Sequence, residues 1–347
     1  MPKRLNLPKG PQIQKQPSTA LIPAEDYFLN LPPEEFPATY QATLSFFEEK
    51  FGNLDAKDLG KVALSLRQET IKRIEAATKR SLICYTSKIY NPPQPQHTSI
   101  NHFDLVGFSD LISTISPPNV DILIVSNGGE VEATDRIVTL LRERFNHIRY
   151  IVPSNAFSAA TLLCFSGDEI LMGSQGTLGP IDPQMNGTPI QAILEAFKKA
   201  KTEIELGGMN TLLAYWPLLS KYSLPVLEVG KQYKNLSESL AKKWLSSHML
   251  HCEESDQRVI DCVEFFSAYE THMSHGRSIA REEAKSKKLE VRKLEQYDIH
   301  DLVLSLFFQY VFMFDKSQLV KFFENAHGIH WGWGVAPPTA PTEAGKK

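Results

Sequence analysis

The chain predicts an α/β fold, built as layered βαβ units with additional helices at its N- and C-terminal ends. Three observations carry the prediction. The run Asp121-Ile-Leu-Ile-Val-Ser126 is short, apolar and β-branched, and it ends on Asn127-Gly128-Gly129. Apolar residues at Val131, Ile137, Leu140, Leu141 and Phe145 then follow at helical spacing. His147 to Val152 is a second strand, broken by Pro153-Ser154-Asn155. Strand, glycine turn, helix, strand is the signature of a parallel sheet with crossover helices.

Residues 1–24 carry five prolines and little apolar pattern, and are read as a disordered or extended arm. Residues 25–80 read as a helical region, of which Leu59 to Thr78 is the clearest part, leading into a strand over Ser81 to Ser87. One α/β domain is expected over 81–291; within it, Gly207 to Tyr269 reads as helices punctuated by Pro217 and Pro225. The apolar run Leu302 to Phe314, followed by Leu319, Val320, Phe322 and Phe323, suggests a helical extension over 292–335, buried against the domain or a neighbouring subunit. That run is 13 residues long, short of the roughly 20 a membrane helix needs. Residues 336–347 form a Pro/Thr/Ala/Gly/Lys tail, expected to be disordered.

The composition of 347 residues is 42% hydrophobic and 22% charged, with a net charge of −3 and a pI near 6.4. A chain of this kind can bury a large core, and it lacks the positive charge that nucleic acid or an anionic membrane would attract. Cys84, Cys164, Cys252 and Cys262 show no CxxC spacing and no leader precedes them, so reduced thiols in a cytoplasmic protein are expected. No metal site and no cofactor are expected: His327-Gly-Ile-His330 lacks a partnering Cys or Glu pattern. The clusters Lys242-Lys243 and Lys285, Lys287, Lys288 read as solvated helix faces.

Chemistry concentrates in three segments. Gly128-Gly129 lets the backbone approach a ligand with bare N–H groups at a helix start, so Gly129 is a candidate oxyanion donor; a plain βα turn is the alternative. Ser158 falls in the first turn of a short helix over Phe157 to Phe165, where its hydroxyl and the Ala159 N–H are presented together; the alternative is an ordinary helix cap by Ser154, Asn155 or Ser158. The third segment, Gly173-Ser-Gln-Gly-Thr-Leu-Gly-Pro-Ile-Asp-Pro-Gln184, is an extended stretch beside them.

The order and spacing of these pieces resembles the ClpP/crotonase superfamily and, within it, the serine dehydrogenase proteinase family of Clp-fold serine proteases. The resemblance rests on Ser126-Asn-Gly-Gly-Glu130, Ser158-Ala159, Leu178-Gly-Pro-Ile-Asp-Pro-Gln184 and the entry helix Glu69 to Arg80, and runs from about Gln68 to Leu289. It implies a ClpP/crotonase-like domain over 81–291, an acyl-enzyme on Ser158 and an oxyanion hole from the Gly129 and Ala159 amides. It further implies a peptide or unfolded-protein substrate and assembly as a trimer or hexamer. The family pattern Ser-Ala-Gly-Thr reads Ser158-Ala159-Ala160-Thr161 here, which departs at the third position.

Two bases are open. The histidine that the Clp protease carries on the segment matching Ser174 to Gln184 is absent at Gly179 and Pro180. Related signal peptide peptidases use a lysine, which falls among Lys198, Lys199 and Lys201. Ile190, Ile193, Leu194, Phe197 and Ile204 define an apolar face that includes Lys201, which is therefore the lysine expected to be buried, unless it snorkels to solvent. His275, in Ser274-His-Gly-Arg-Ser-Ile-Ala-Arg-Glu-Glu-Ala284, adjoins the place where the Clp protease carries its triad aspartate; the family more often reads His-Asp, and Gly276 stands here instead. An imidazole needs little tuning to act as a base, and His275 is favoured narrowly, with an incidental loop histidine as the alternative.

The function expected is therefore serine peptidase. An extended substrate is expected to pair with Glu130 and Val131 on one side and Gln175, Gly176, Thr177 and Leu178 on the other. A catalytically inactive peptide-binding scaffold and a crotonase-like enzyme acting on an acyl thioester are the competing readings.

Overall fold

The computed structural model describes residues 28–92, 95–116, 118–185 and 187–335. The expected N-terminal arm and C-terminal tail lie outside these residues.

Two helices, α1 (Tyr40–Phe51) and α2 (Ala56–Thr78), precede the first strand. Each has a side-chain cap: Thr39 accepts from the Ala42 amide and Asp55 from that of Asp58. The domain proper then runs β1 (Ser81–Ser87), α3 (Asp104–Ser113), β2 (Asn119–Val125), α4 (Val131–Arg144), β3 (His147–Val152), β4 (Asn155–Ala156), α5 (Ala159–Phe165) and β5 (Glu169–Met172). Next come β6 (Thr177–Leu178), β7 (Gln184–Met185) and β8 (Thr188–Pro189), then the long helices α6 (Ile190–Leu219) and α7 (Leu224–Trp244), and α8 (Gln257–Ser267). The chain closes with β9 (Ile279–Ala280), α9 (Arg281–Ser286), β10 (Val291–Lys293), α10 (His300–Lys316), β11 (Leu319–Asn325) and β12 (His330–Gly334).

Seven strands make the central sheet in the order β10-β5-β3-β2-β1-β11-β12. From β10 to β1 all neighbours are parallel, with Tyr85 opposite Ile124 and Leu123 opposite Ile151. These strands read as continuous apolar runs because both faces are covered. One face carries Tyr85, Ile122, Ile124, Tyr150 and Ile170 against α3, α4 and α5. The opposite face carries Leu82, Cys84, Leu123, Ile151 and Leu171 against α2 and α10. The α/β layered architecture expected from the sequence is thus present, with a helical layer on each side of the sheet.

The C-terminal extension corrects one expectation. Residues 319–334, read as part of a helical extension, form a β-hairpin that pairs antiparallel with β1, Phe323 facing Tyr85 in register. Its two aromatic neighbours point to opposite faces: Phe323 packs in the core beneath α3 and Phe322 in the core beneath α10. Strand residues buried on both sides lose the alternation that marks a half-exposed strand. The phenylalanines of α10 likewise serve the chain's own core: Phe312 stacks on Phe47 of α1 at 4.4 Å, and Phe307 and Phe314 are buried against the sheet. Among the described residues no helix is long and apolar enough to cross a membrane.

Candidate functional site

The loops at the carboxyl ends of β2 and β3 meet in a cleft of about 610 Å³, lined among others by Asn127, Gly128, Gly129, Glu130, Ser158, Ile181, Tyr233 and His275. Its geometry starts at Ser126. The Ser126 amide donates to the Asn155 carbonyl (2.9 Å) and the Phe157 amide to the Ser126 carbonyl (3.0 Å), which straps the glycine turn to the strand leading to Ser158. Gly128 has φ +98°, and a β-carbon there would lie 2.6 Å from the Phe157 carbonyl oxygen and 2.7 Å from Ser158 Cβ. Only glycine permits this approach.

Ser158 stands at the N-cap of α5 with φ +53° and ψ −120°. A serine in that region costs about 1–3 kcal/mol of backbone strain. The residue stands on a sharp turn between β4 and α5. The hydroxyl makes no capping hydrogen bond to the helix and has no partner among the described residues. That separates it from an ordinary cap serine, whose side chain is spent on the second or third helical amide. The helix start leaves the Ala159 amide without an acceptor among the described residues, and the Gly129 amide is likewise unpaired there, because the neighbouring bonds of the turn run through Gly128 O and Glu130 N to Ile100. Two bare N–H groups thus flank a half-buried hydroxyl. Ala160, where the family has glycine, is fully buried in the core, and Thr161 ties α5 to the third segment by accepting from the Gly179 amide (3.0 Å).

A small second sheet gathers the remaining parts. β6 lies between β4, to which it is parallel, and β9, to which it is antiparallel. The three strands belong to the segments that lead to Ser158, lead to Asp182 and follow His275, so their pairing brings those three side chains to one end of the domain. His275 Nδ1 lies 2.8 Å from Asp182 Oδ1, and Gln184 Nε2 donates to Asp182 Oδ2 at 2.9 Å. A carboxylate only accepts, so the Nδ1 proton of His275 is given to Asp182, and Nε2 keeps the lone pair that can take a proton. The Asp182 side chain is 4% exposed. Asp182 was not singled out from the sequence, although it stands inside the quoted motif Leu178 to Gln184. An acid between Ile181 and Pro183 was the available signal.

Lys201 lies elsewhere. Its side chain is 77% exposed, pairs with Glu205 at 3.8 Å and does not line the cleft. The buried stripe of α6 is Ile190, Ile193 and Ala200. Beyond it the helix breaks at Gly208 (φ +67°, ψ −150°) and its second half folds back on the first, with Tyr215 OH donating to Glu203 and Phe197 meeting Tyr222 at 5.5 Å, while Leu206, Met209, Leu213 and Trp216 about the break stay exposed.

The expected substrate-strand residues also need correction. Thr177 and Leu178 are paired on both edges, by β4 and β9, and the Gly176 amide is bound to the Gly173 carbonyl in a turn with Gln175. A strand with two partners has no edge to offer. On the other side the Glu130 amide is taken by Ile100 O (2.9 Å) and its carbonyl by the Thr134 amide. Val131 lines the cleft, as do Gln184 and Met185, whose hairpin with Thr188–Pro189 occupies one edge only among the described residues.

No group of three or more His, Cys, Asp or Glu side chains suited to a metal occurs among the described residues, and the four cysteines are free thiols. His327 and His330 fall in and after the turn between β11 and β12.

Comparison with known proteins places the site in context. Residues 111–212 match the family model described as ClpP-like SDH-type serine proteinase. Two uncharacterized proteins of Methanocaldococcus jannaschii are 35% identical over 78 and 80 residues, 22% and 23% of this chain and 27% and 28% of theirs. The chain therefore spans about a quarter of the length of these curated relatives. Among solved structures, a mutant ClpP1 of Listeria monocytogenes is similar at 14% identity and a TM-score of 0.34, covering 64% of this chain and 96% of that one.

Proposed function

We propose that this chain, whose residues 111–212 belong to the ClpP-like SDH-type serine proteinase family, hydrolyses peptide bonds through an acyl-enzyme on Ser158. The observation that carries the reading is the unpartnered Ser158 hydroxyl, held at positive φ in the cleft that also contains a His275 whose other nitrogen is bound to a buried Asp182. In this mechanism His275 Nε2 takes the hydroxyl proton as Ser158 Oγ attacks the scissile carbonyl, and returns it to the departing amine. Asp182 fixes the tautomer and stabilises the imidazolium. The Gly129 and Ala159 amides receive the oxyanion, each worth about 10²–10³ in rate. In the Clp protease the first of these segments carries the histidine and the second the aspartate. Here Asp182 and His275 occupy them in exchange, which accounts for the histidine missing at Gly179 and Pro180.

Substrate is proposed to lie extended along Gln184–Met185 and past Val131, against the apolar side chains of Leu162, Ile181 and Met185. A homo-oligomer is proposed as the working state; its support is the group of exposed apolar side chains on either side of the break at Gly208, Leu206 (85% exposed), Met209, Leu213 and Trp216. Hydrolysis of unfolded casein and of fluorogenic peptides by the purified full chain tests the reading. Turnover by the wild type, lost in Ser158→Ala and in His275→Ala, is expected; equal turnover in all three would refute it.

A further inference from the structure

The core beside the glycine turn holds an ion pair that the mechanism above leaves unused. Lys321 projects from the middle of β11 and is 1% exposed. Its ammonium lies 2.6 Å from Asp104 Oδ1 and donates to the Ser99 carbonyl at 2.8 Å. Asp104 is fully buried and uses its second oxygen twice: it accepts from Tyr85 OH (2.7 Å) and from the Asn101 amide (3.0 Å). The pair therefore grips the chain on both sides of Ile100, by the carbonyl before it and the amide after it.

Ile100 in turn is the residue that holds the glycine turn. Its amide donates to Gly128 O (2.8 Å) and its carbonyl accepts from the Glu130 amide (2.9 Å), a parallel bridge opposite Gly129. A β-carbon at Gly129 would lie 2.2 Å from Ile100 O. With Gly128 O and Glu130 N both directed toward Ile100, the Gly129 amide between them is turned away and has no acceptor among the described residues.

We propose that Lys321 and Asp104 are positioning residues for the oxyanion hole: the buried pair fixes the Ser99–Asn101 crook, and the crook fixes the direction of the Gly129 N–H. The inference rests on the peptidase reading for its consequence but not for its geometry. It assigns a role to the C-terminal hairpin, which lies outside the segment matched by the family model. Burial lowers the pKa of Lys321 while Asp104 opposes the fall, as expected of an ammonium retained in the core for its partner.

Removing one member alone would leave a buried charge unpaired, so the test uses Lys321→Met together with Asp104→Asn, in which Asn keeps an acceptor for the Asn101 amide. Amide exchange, serine labelling and steady-state kinetics are measured on the full chain. Hydrogen exchange at the Ile100 and Glu130 amides is expected to speed at least about 10-fold, and labelling of Ser158 by a fluorophosphonate to slow about 10–100-fold, with peptide KM within about twofold. Lys321→Gln in the Asp104→Asn background restores a donor for the Ser99 carbonyl and should recover part of both; it also serves as the readout should the methionine variant not fold. Amide exchange unchanged from wild type in a folded variant would overturn the inference. So would exchange that speeds with kcat unchanged, or a loss in which KM rises as much as kcat falls. If the wild type takes no label at all, the peptidase reading fails, and the amide measurement still decides whether the clamp exists.

Discussion

Gly128→Ala is the perturbation whose consequence follows most directly from the geometry. The added methyl would sit 2.6 Å from the Phe157 carbonyl oxygen, 2.7 Å from Ser158 Cβ and 3.0 Å from the Ala159 nitrogen. Ordinary contact begins near 3.4 Å, so relieving the first two requires displacements of about 0.8 and 0.7 Å, obtained by subtraction from that limit. All three atoms belong to Phe157, Ser158 or Ala159, the residues of the turn that carries the proposed nucleophile and oxyanion donor, and none is the far end of a flexible side chain. At φ +98° alanine also pays a backbone cost, about 1–3 kcal/mol for a residue held in that region. A misplacement near 1 Å costs about 10²-fold in rate. The expected outcome is a fluorophosphonate labelling rate reduced about 100-fold, with cooperative thermal unfolding retained at a melting temperature lower by several degrees. Wild-type labelling by a folded Gly128→Ala protein would mean that the Ser158 turn and the glycine turn are not coupled as described, and would refute the argument.

Three further outcomes are expected. Asp182→Asn should lower kcat about 10³–10⁴-fold with KM little changed, because an amide can donate to His275 Nδ1 and leave the proton on Nε2, the wrong tautomer; steady-state kinetics with a fluorogenic peptide measure this, and full activity would remove Asp182 from the site. Lys201→Ala should alter turnover by less than about twofold, since its exposed ion pair with Glu205 contributes little; a loss of 10-fold or more in the same assay would reinstate the lysine. His248, half-buried beside Arg142, has its pKa lowered to about 4, chiefly by desolvation. Its folded pKa lies below the unfolded value near 6.5, so the unfolded state binds the proton more readily between those limits. The stabilisation is complete above about pH 6.5 and is lost as pH falls toward 4, by about 1 kcal/mol after allowance for partial exposure. Urea titrations at pH 7 and 4.5 should show the loss, and His248→Phe should reduce it.

The parallel sheet was legible because β2 and β3 are short apolar runs bounded by turn residues and α4 between them carries a helical period, and the glycine turn and Ser158 were legible because they lie just after those runs. The hairpin over Leu319–Gly334 was not. Phe322 and Phe323 face opposite cores, so the strand shows no alternation, and the apolar run reads on from α10 as more helix. The substrate-strand assignment to Thr177 and Leu178 failed for a tertiary reason: their second edge is filled by Ile279–Ala280, a hundred residues away in sequence. Lys201 failed because an amphipathic period identifies an apolar face without saying how far the helix stays against the body, and α6 leaves it after Ala200. Asp182 was not legible, because a lone acid between Ile181 and Pro183 gains its meaning only from a partner far along the chain. The pair with His275 spans 93 residues, and only the β4-β6-β9 sheet brings the two together. The Lys321–Asp104 clamp had no sequence signal, since a lone lysine between Val320 and Phe322, in a stretch that reads as helix, gives no sign of a partner more than 200 residues away.

The central claim is that Ser158 is an activated nucleophile. Incubating the full chain with diisopropyl fluorophosphate and mapping the adduct by peptide mass spectrometry tests it most directly. A single phosphoryl adduct on the peptide carrying Ser158, absent in Ser158→Ala and slowed in His275→Ala, is the predicted result; an unmodified Ser158, or equal modification with and without His275, would contradict it.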